Sequence, residues 1–258
     1  MPGTLRLVTD GRPEPPWLDT EVSRVMLQAA SAGEIADTFR VHVPGRVVAF
    51  GKRDTIDRRY QAATAAAAEA GFAAVERMAG GRAAVFTEHT LSFAWTIPDA
   101  DPRPGITARF AALAEVVVDA FGRLGIASRI GEIPGEYCPG TWSVNHDGRI
   151  KLMGVGQRLA RHAAHVGGVI VVGRPDLVRS ALVPVYRVMG LEWDPATAGA
   201  LTDVDPSVTV EAASRAMIAA LADRFDLVPA PLDERFVAAA LATGPVRPPQ
   251  ANVRPTMG

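Results

Sequence analysis

The chain has 258 residues, 48% of them hydrophobic, which is enough to bury the core of one large domain without disulfides or metals. Its 27 basic and 28 acidic residues nearly cancel and are spread along the chain, which argues against a nucleic-acid-binding protein. The single cysteine, Cys138, excludes an intramolecular disulfide and a metal site built from several cysteines.

The first half of the sequence predicts an alternation of strands and helices. Strands are predicted over Leu5–Thr9, Thr38–Val43, Arg46–Phe50, Phe72–Glu76, Ala83–Phe86 and Leu91–Ile97, and helices from Leu18 to about Ala30, over Ile56–Ala70 and over Thr107–Leu124. The strands on either side of Pro44 and Gly45 are predicted to form a hairpin. Gly71 and Gly125 are expected to end the helices that precede them.

The second half is strand-like from Trp142 to Val172 and then helical. Short helices are predicted over Asp176–Ala181, Val185–Met189, Glu211–Phe225 and Asp233–Ala242. We therefore expect an α/β (α+β) fold with a mixed, largely antiparallel sheet flanked by helices. Residues 1–243 are predicted to form one domain with a small helical C-terminal part (about 175–243), and residues 244–258 an extended or disordered tail.

The N-terminus shows no signal-peptide pattern, and Gly, Pro or Arg interrupts every apolar run well short of about 18 residues. This pattern predicts a cytoplasmic protein.

Three segments place glycine beside a reactive or charged side chain: Arg77–Phe86, Gly135–Gly140 and Asp147–Arg158. Gly80 and Gly81 allow main-chain N–H groups to approach an acyl carbonyl, a carboxylate or a phosphate. Proline and glycine around Cys138 predict a loop, which is unusual for a cysteine that only fills a core. Lys151 lies in a predicted strand that runs into glycines. Taken singly, these features are also explained by a tight turn, a buried structural cysteine and a solvated lysine.

Together the three segments resemble the biotin and lipoate protein ligase superfamily. Arg77–Gly81 matches the Arg-x-x-Gly-Gly stretch that lines the acyl pocket there, and Lys151–Gly154 matches the Lys-[Ile/Leu]-x-Gly stretch that supplies its reactive lysine. The segment Glu136–Gly140 is most similar to the cysteine-dependent octanoyl or lipoyl transferases that act between lipoyl-domain proteins. The resemblance extends from about Leu18 to Ala200 and implies the catalytic-domain fold of that superfamily.

The resemblance implies an acyltransferase that moves an octanoyl or lipoyl group onto a lysine of a partner protein. Cys138 would be the nucleophile that carries the acyl group as a thioester, while Lys151 would stabilise its thiolate and relay the proton. The implied substrate-binding residues are Arg77, Ala79, Gly80, Gly81, Gly154, Val155, Gly156 and His165. Oxyanion donors are expected near Gly81 and at Gly154–Val155.

The implied acyl donors and acceptors are lipoyl-domain proteins, similar to the glycine cleavage H protein or to the E2 subunit of 2-oxoacid dehydrogenases. Neither a metal nor a nucleotide is required by such a mechanism, and no pair of histidines has the spacing of a helical metal site.

Two alternatives remain open: a lipoate ligase that needs ATP and magnesium, and a non-catalytic protein that binds acylated lipoyl domains. Many lipoate ligases carry a third glycine and a His-Asp pair after the Gly-Gly stretch, whereas this sequence has Arg82 and then Thr87-Glu88, which weakens the ligase hypothesis. A biotin ligase is disfavoured, because no Gly-Arg-Gly-Arg loop is present. Arg82 and Arg149 are interpreted as solvated surface residues.

Overall fold

The structure of the protein is a computed structural model that describes residues 3–246. The strands are β1 (Thr4–Val8), β2 (Thr38–His42), β3 (Val47–Phe50), β4 (Ala73–Glu76), β5 (Ala84–Phe86), β6 (Thr90–Pro98), β7 (Arg129–Ile130), β8 (Val144–His146), β9 (Ile150–Leu159), β10 (Ala163–Val171) and β11 (Asp226–Pro229). The helices are α1 (Leu18–Ser31), α2 (Lys52–Thr55), α3 (Tyr60–Glu69), α4 (Ile106–Arg123), α5 (Pro175–Met189), α6 (Val210–Ala222) and α7 (Glu234–Thr243).

Eight of these strands form one large sheet in the order β11-β1-β2-β6-β10-β9-β8-β7. Only β1 pairs in parallel, with β11 and β2, and the remaining neighbours are antiparallel. The predicted mixed, largely antiparallel sheet flanked by helices is therefore confirmed.

A second, three-stranded sheet has the order β4-β3-β5, and the predicted hairpin between β2 and β3 is wrong. Both edges of β2 are occupied, by β1 and by β6, so β3 has no free edge of β2 to pair with. The chain instead crosses to the second sheet at Pro44 and Gly45. A Cβ at Gly45 would lie 2.5 Å from the carbonyl oxygen of Pro13, so this crossing requires glycine.

The helices follow from the spacing of their apolar residues. In α4, Leu113, Val117 and Phe121 recur every four residues and are buried in the core against the large sheet. Gly125 and Gly71 follow the ends of α4 and α3 with φ values of +74° and +85°, a backbone conformation that favours glycine. The two predicted helix stops are confirmed.

The C-terminal part contains more than helices. The two short helices predicted between 176 and 189 form one helix, α5, which continues through Pro184. Strand β11, which was not predicted, pairs with β1 and extends the large sheet. The predicted tail lies outside the described residues from 247 onward. Among residues 3–246, no helix combines the length and hydrophobicity needed to cross a membrane.

Candidate functional site

Cys138 lies in the loop between β7 and β8, and main-chain contacts fix its position. Its φ of +42° is in the left-handed region, which is uncommon for a residue other than glycine. Its N–H donates to the Tyr186 hydroxyl at 2.9 Å, and that hydroxyl donates to the carbonyl oxygen of Ala83 at 3.1 Å. The half-buried thiol is thereby directed at the glycine segment that precedes β5.

Two donors contact the sulfur. The backbone N–H of Arg82 lies 3.2 Å from Cys138 Sγ, and Arg77 Nη2 lies 3.3 Å from it. Gly81 makes this approach possible, because its φ is +95° and a Cβ there would lie 2.8 Å from Sγ and 2.6 Å from Arg77 Nη2. Arg77 of the Arg-x-x-Gly-Gly segment and Arg82, which directly follows that segment, therefore provide the two donors to the thiol.

The surroundings favour the thiolate form of Cys138. Burial raises the pKa of the thiol, but the positive charges of Arg77 and Lys151 and the two hydrogen bonds to sulfur together lower it below its ordinary value. A thiolate is the nucleophilic form of cysteine. The site can thus present an activated sulfur nucleophile.

Lys151 lies on β9 beside the cysteine loop and is almost completely buried, with 1% of its surface exposed. Its Nζ donates to Glu136 Oε1 at 2.9 Å, to the carbonyl oxygen of Tyr137 at 3.0 Å and to that of Cys138 at 2.8 Å. These bonds use all three N–H groups of the amine. Lys151 therefore acts on the thiol through its charge in this arrangement, and the expected proton relay has no free N–H.

Glu136 organises the cysteine loop from inside. Besides the bond from Lys151, its carboxylate accepts hydrogen bonds from the N–H of Ile133 at 3.0 Å, the N–H of Gly140 at 3.3 Å and the Ser143 hydroxyl at 2.7 Å. The sequence places Glu136 in the cysteine motif but indicates no role for it. Its negative charge compensates the positive charge of the buried Lys151 amine, and its hydrogen bonds connect both ends of the cysteine loop.

A cavity of about 580 Å³ opens beside the thiol, within the range of small-molecule sites. It is lined by most of the predicted site residues: Arg77, Gly80, Gly81, Cys138, Lys151, Gly154, Val155 and Gly156. A Cβ at Gly156 would lie 2.8 Å from Ala79 Cβ, so glycine here lets the 77–81 segment lie directly on β9. We call this space the thiol cavity.

The other two predicted residues, Ala79 and His165, line an adjoining cavity that we call the inner cavity. It shares Arg77, Phe86 and Gly168 with the thiol cavity. It lies between the two sheets, with β2, β6 and β10 on one side, β3 and β5 on the other, and α1 at its edge. The predicted residues are therefore divided between two neighbouring spaces.

Some contacts at the site were not predicted. The interpretation of Arg82 as a solvated surface residue is wrong, because its N–H contacts the sulfur and its guanidinium pairs with buried Asp54 at 3.1 Å. Tyr186 is 48 residues from Cys138 in sequence, so no local pattern indicated their contact. Arg149 is exposed, as predicted. Among residues 3–246, no group of three or more His, Cys, Asp or Glu side chains is placed to hold a metal ion.

Comparison with known proteins shows relatives in both sequence and structure. The chain is 25% identical over 187 residues to an octanoyl-[GcvH]:protein N-octanoyltransferase of Geobacillus kaustophilus, covering 72% of this chain and 65% of the relative. It is 24% identical over 184 residues to a lipoyl-[GcvH]:protein N-lipoyltransferase of Listeria monocytogenes, covering 71% and 65%. The chain thus spans just under two thirds of the length of these curated relatives.

Solved structures share the fold. A lipoate-protein ligase A bound with ATP has a TM-score of 0.71 at 18% identity, with 94% of both chains covered. The protein Ta0514 of T. acidophilum with bound lipoic acid has a TM-score of 0.67 at 18% identity, again with 94% of both chains covered.

The model of the lipoyl protein ligase A/B catalytic domain matches residues 15–222, which is well over half of the chain and includes every residue of the site described above. The chain belongs to the lipoyl protein ligase A/B catalytic domain family.

Proposed function

We propose that this protein is an acyltransferase that moves an octanoyl or lipoyl group, carried as a thioester on Cys138, onto a lysine of a lipoyl-domain protein. The observation that carries this proposal is the thiol itself, which accepts hydrogen bonds from Arg77 and from the N–H of Arg82 at the wall of a ligand-sized cavity. The names of the relatives, which include octanoyl and lipoyl transferases acting with GcvH, support it.

In the first half-reaction, Cys138 Sγ attacks the acyl carbonyl of the donor. A carbon–sulfur bond forms, the bond from the carbonyl carbon to the donor's lysine nitrogen breaks, and the released amine takes a proton from solvent, which replaces the proton that the thiol lost to solvent when the thiolate formed. The N–H of Arg82 and the guanidinium of Arg77 contact the sulfur. They are therefore placed to donate hydrogen bonds to the oxyanion that develops on the attacked carbonyl. The predicted oxyanion site near Gly81 is consistent with this position.

In the second half-reaction, the acceptor lysine attacks the thioester. A carbon–nitrogen bond forms, the carbon–sulfur bond breaks, and the sulfur leaves as the thiolate that Arg77 and Lys151 stabilise. The amine proton passes to solvent through the open thiol cavity. The same lowered pKa of Cys138 therefore serves both the attack and the departure of sulfur.

We further propose that the acyl chain lies mainly in the thiol cavity and that its far end extends past Arg77 and Phe86 into the inner cavity, which has a volume of about 80 Å³. Lipoyl-domain proteins would act as donor and acceptor, and the mechanism needs neither a nucleotide nor a metal. An ATP-dependent ligase would use the same cavities to hold an acyl adenylate and would leave Cys138 without a covalent role.

Transfer assays separate these possibilities. The protein is incubated with an octanoylated lipoyl-domain donor and an unmodified lipoyl-domain acceptor, with and without ATP and magnesium, and acyl transfer is read by mass spectrometry of the acceptor. We expect transfer without ATP from the wild type and none from Cys138→Ser. Strict dependence of transfer on ATP would refute the proposal in favour of an ATP-dependent ligase. Binding of the octanoylated donor without any transfer would favour a non-catalytic binding protein.

A further inference from the structure

More than a third of the residues that line the inner cavity have polar side chains, which is unexpected for a space that receives the end of a hydrocarbon chain. Apolar residues of both sheets form one part of its wall, among them Val47, Ala49 and Phe93. The rest of the wall includes Asp19 and Ser23 of α1, His42 of β2 and His165 of β10. Asp19, His42 and His165 are all buried.

The imidazole of His42 has unused hydrogen-bonding capacity in this wall, as does Arg77 Nε where the cavity adjoins the thiol cavity. Neither of its ring nitrogens has a hydrogen-bond partner among the described residues. The nearest charged group, Asp19 Oδ2, lies 3.5 Å from His42 Nε2, which is longer than a normal hydrogen bond. Buried donors and acceptors are rarely left unpaired, because their desolvation is costly.

His165 adds a second imidazole to the same wall. Its Nδ1 lies 3.4 Å from the Thr96 hydroxyl. Its Nε2 lies over Gly167, where an added Cβ would approach it to 2.9 Å. Glycine at 167 therefore leaves the face of the sheet open beside this nitrogen.

The charges at this end of the cavity are already balanced. Asp19 forms an ion pair with Arg40 and accepts the N–H of Arg12 at 3.0 Å. Burial and the nearby charge of Arg40 lower the pKa of His42 to about 3, and burial with the charges of Arg40 and Arg24 lowers that of His165 to about 4. Both rings are thus neutral near pH 7, and each has one donor and one acceptor nitrogen. A complementary group would be uncharged and polar.

We infer that the inner cavity binds acyl chains whose far end carries an uncharged group that hydrogen-bonds to an imidazole, such as a hydroxyl or a keto oxygen, in preference to chains that end in methyl. This inference rests on the proposed function, because it assumes that the chain on Cys138 reaches this cavity. A methyl end would leave both nitrogens of His42 unpaired. A hydroxyl, which can accept from one ring nitrogen or donate to the other, would satisfy one of them.

The test compares acyl donors of equal length. Nonanoyl and 8-hydroxyoctanoyl thioesters of N-acetylcysteamine are each mixed with the protein, and the rate of acylation of Cys138 is measured by intact mass. Nonanoyl and 8-hydroxyoctanoyl have the same number of heavy atoms and the same reacting carbonyl, so their ratio isolates the polar end.

We expect the 8-hydroxyoctanoyl donor to react about three- to tenfold faster than nonanoyl, the effect of one net hydrogen bond on a rate. In His42→Leu this ratio should fall to about one, whereas the control His162→Leu, which replaces an exposed histidine outside both cavities, should keep it. A nonanoyl rate equal to or above the 8-hydroxyoctanoyl rate in the wild type would refute the inference while leaving the thioester mechanism intact. If no donor acylates Cys138, the proposed function fails and the inference with it.

Discussion

The buried ion pair between Glu136 and Lys151 makes a strong prediction, because both side chains are almost completely enclosed. Their side chains are 0% and 1% exposed, and the carboxylate and amine atoms are 2.9 Å apart. Glu136→Gln removes the negative charge. It also places an amide N–H group opposite one of the donors that now form hydrogen bonds with the carboxylate. The buried amine of Lys151 on β9 then faces the cysteine loop without the negative charge of Glu136.

The cost follows from this burial. Removal of one partner of a buried ion pair typically costs about 3–5 kcal/mol, because the remaining charge is desolvated and unpaired. We expect Glu136→Gln to lower the free energy of unfolding by about 3 kcal/mol, and Lys151→Met by a similar amount. Since each change removes the reason for the other group's burial, the double variant should be more stable than the sum of the two losses predicts, by at least about 1 kcal/mol.

Urea unfolding of the four proteins measures these values directly. Glu132→Gln is the matched control, because Glu132 lies in the same loop and is exposed, and its replacement should change the free energy of unfolding by less than about 0.5 kcal/mol. If the two single losses add without coupling, or if Glu136→Gln costs no more than the control, the ion pair does not organise the cysteine loop as described.

Three further predictions concern the thiol and the two buried histidines. Alkylation of Cys138 by iodoacetamide should reach its plateau rate at a lower pH than alkylation of a free thiol. Arg77→Gln should move the midpoint of this pH profile upward, because it removes a positive charge and a hydrogen bond that lower the pKa of the thiol. An unchanged midpoint would contradict the contact between Arg77 and Cys138 Sγ. Gly81→Ala should reduce acyl transfer at least about 100-fold, because the new Cβ would clash with Cys138 Sγ and Arg77 and because the φ of +95° is unfavourable for alanine. The control is Gly71→Ala, at a position that also has a positive φ but has open space around it. This variant should be less stable but should retain acyl transfer. Burial lowers the pKa of His42 from 6.5 to about 3 and that of His165 to about 4, so the unfolded chain binds more protons than the folded protein below pH 6.5. The free energy of unfolding should therefore fall by about 2 kcal/mol for each histidine between pH 7 and pH 5. Urea titrations at both pH values should show a smaller fall for His42→Leu than for the wild type.

Most elements of the fold could be predicted because their signals are local. The apolar spacing of α4 and the glycines that follow α3 and α4 are contained within one window of sequence. The pairing of β2 and β3 was not predictable in this way, since it depends on which strands already occupy the edges of β2. Strand β11 is short and lies at the sheet edge, and its pairing with β1 brings together residues more than 200 positions apart.

The same distinction applies to the site. Cys138, Lys151 and the Arg77–Gly81 segment were identified through motifs, and the structure brings them to one cavity. The ion pair between Lys151 and Glu136 could not be identified in this way, because the motif does not show that Glu136 is buried. The contact with Tyr186 depends on the packing of α5 against the cysteine loop, which no spacing in the sequence indicates.

Detection of the acyl-enzyme is the most direct test of the proposed chemistry. A stoichiometric amount of octanoylated lipoyl-domain donor is mixed with the protein in the absence of ATP, and the intact mass and the modified peptide are followed by mass spectrometry before and after addition of an unmodified acceptor. Transfer through Cys138 predicts an octanoyl mass increase on that residue, sensitive to hydroxylamine as thioesters are, that disappears as the acceptor lysine becomes modified. Modification of the acceptor at the same rate by Cys138→Ser, or with no mass increase on Cys138 at any time, would contradict it.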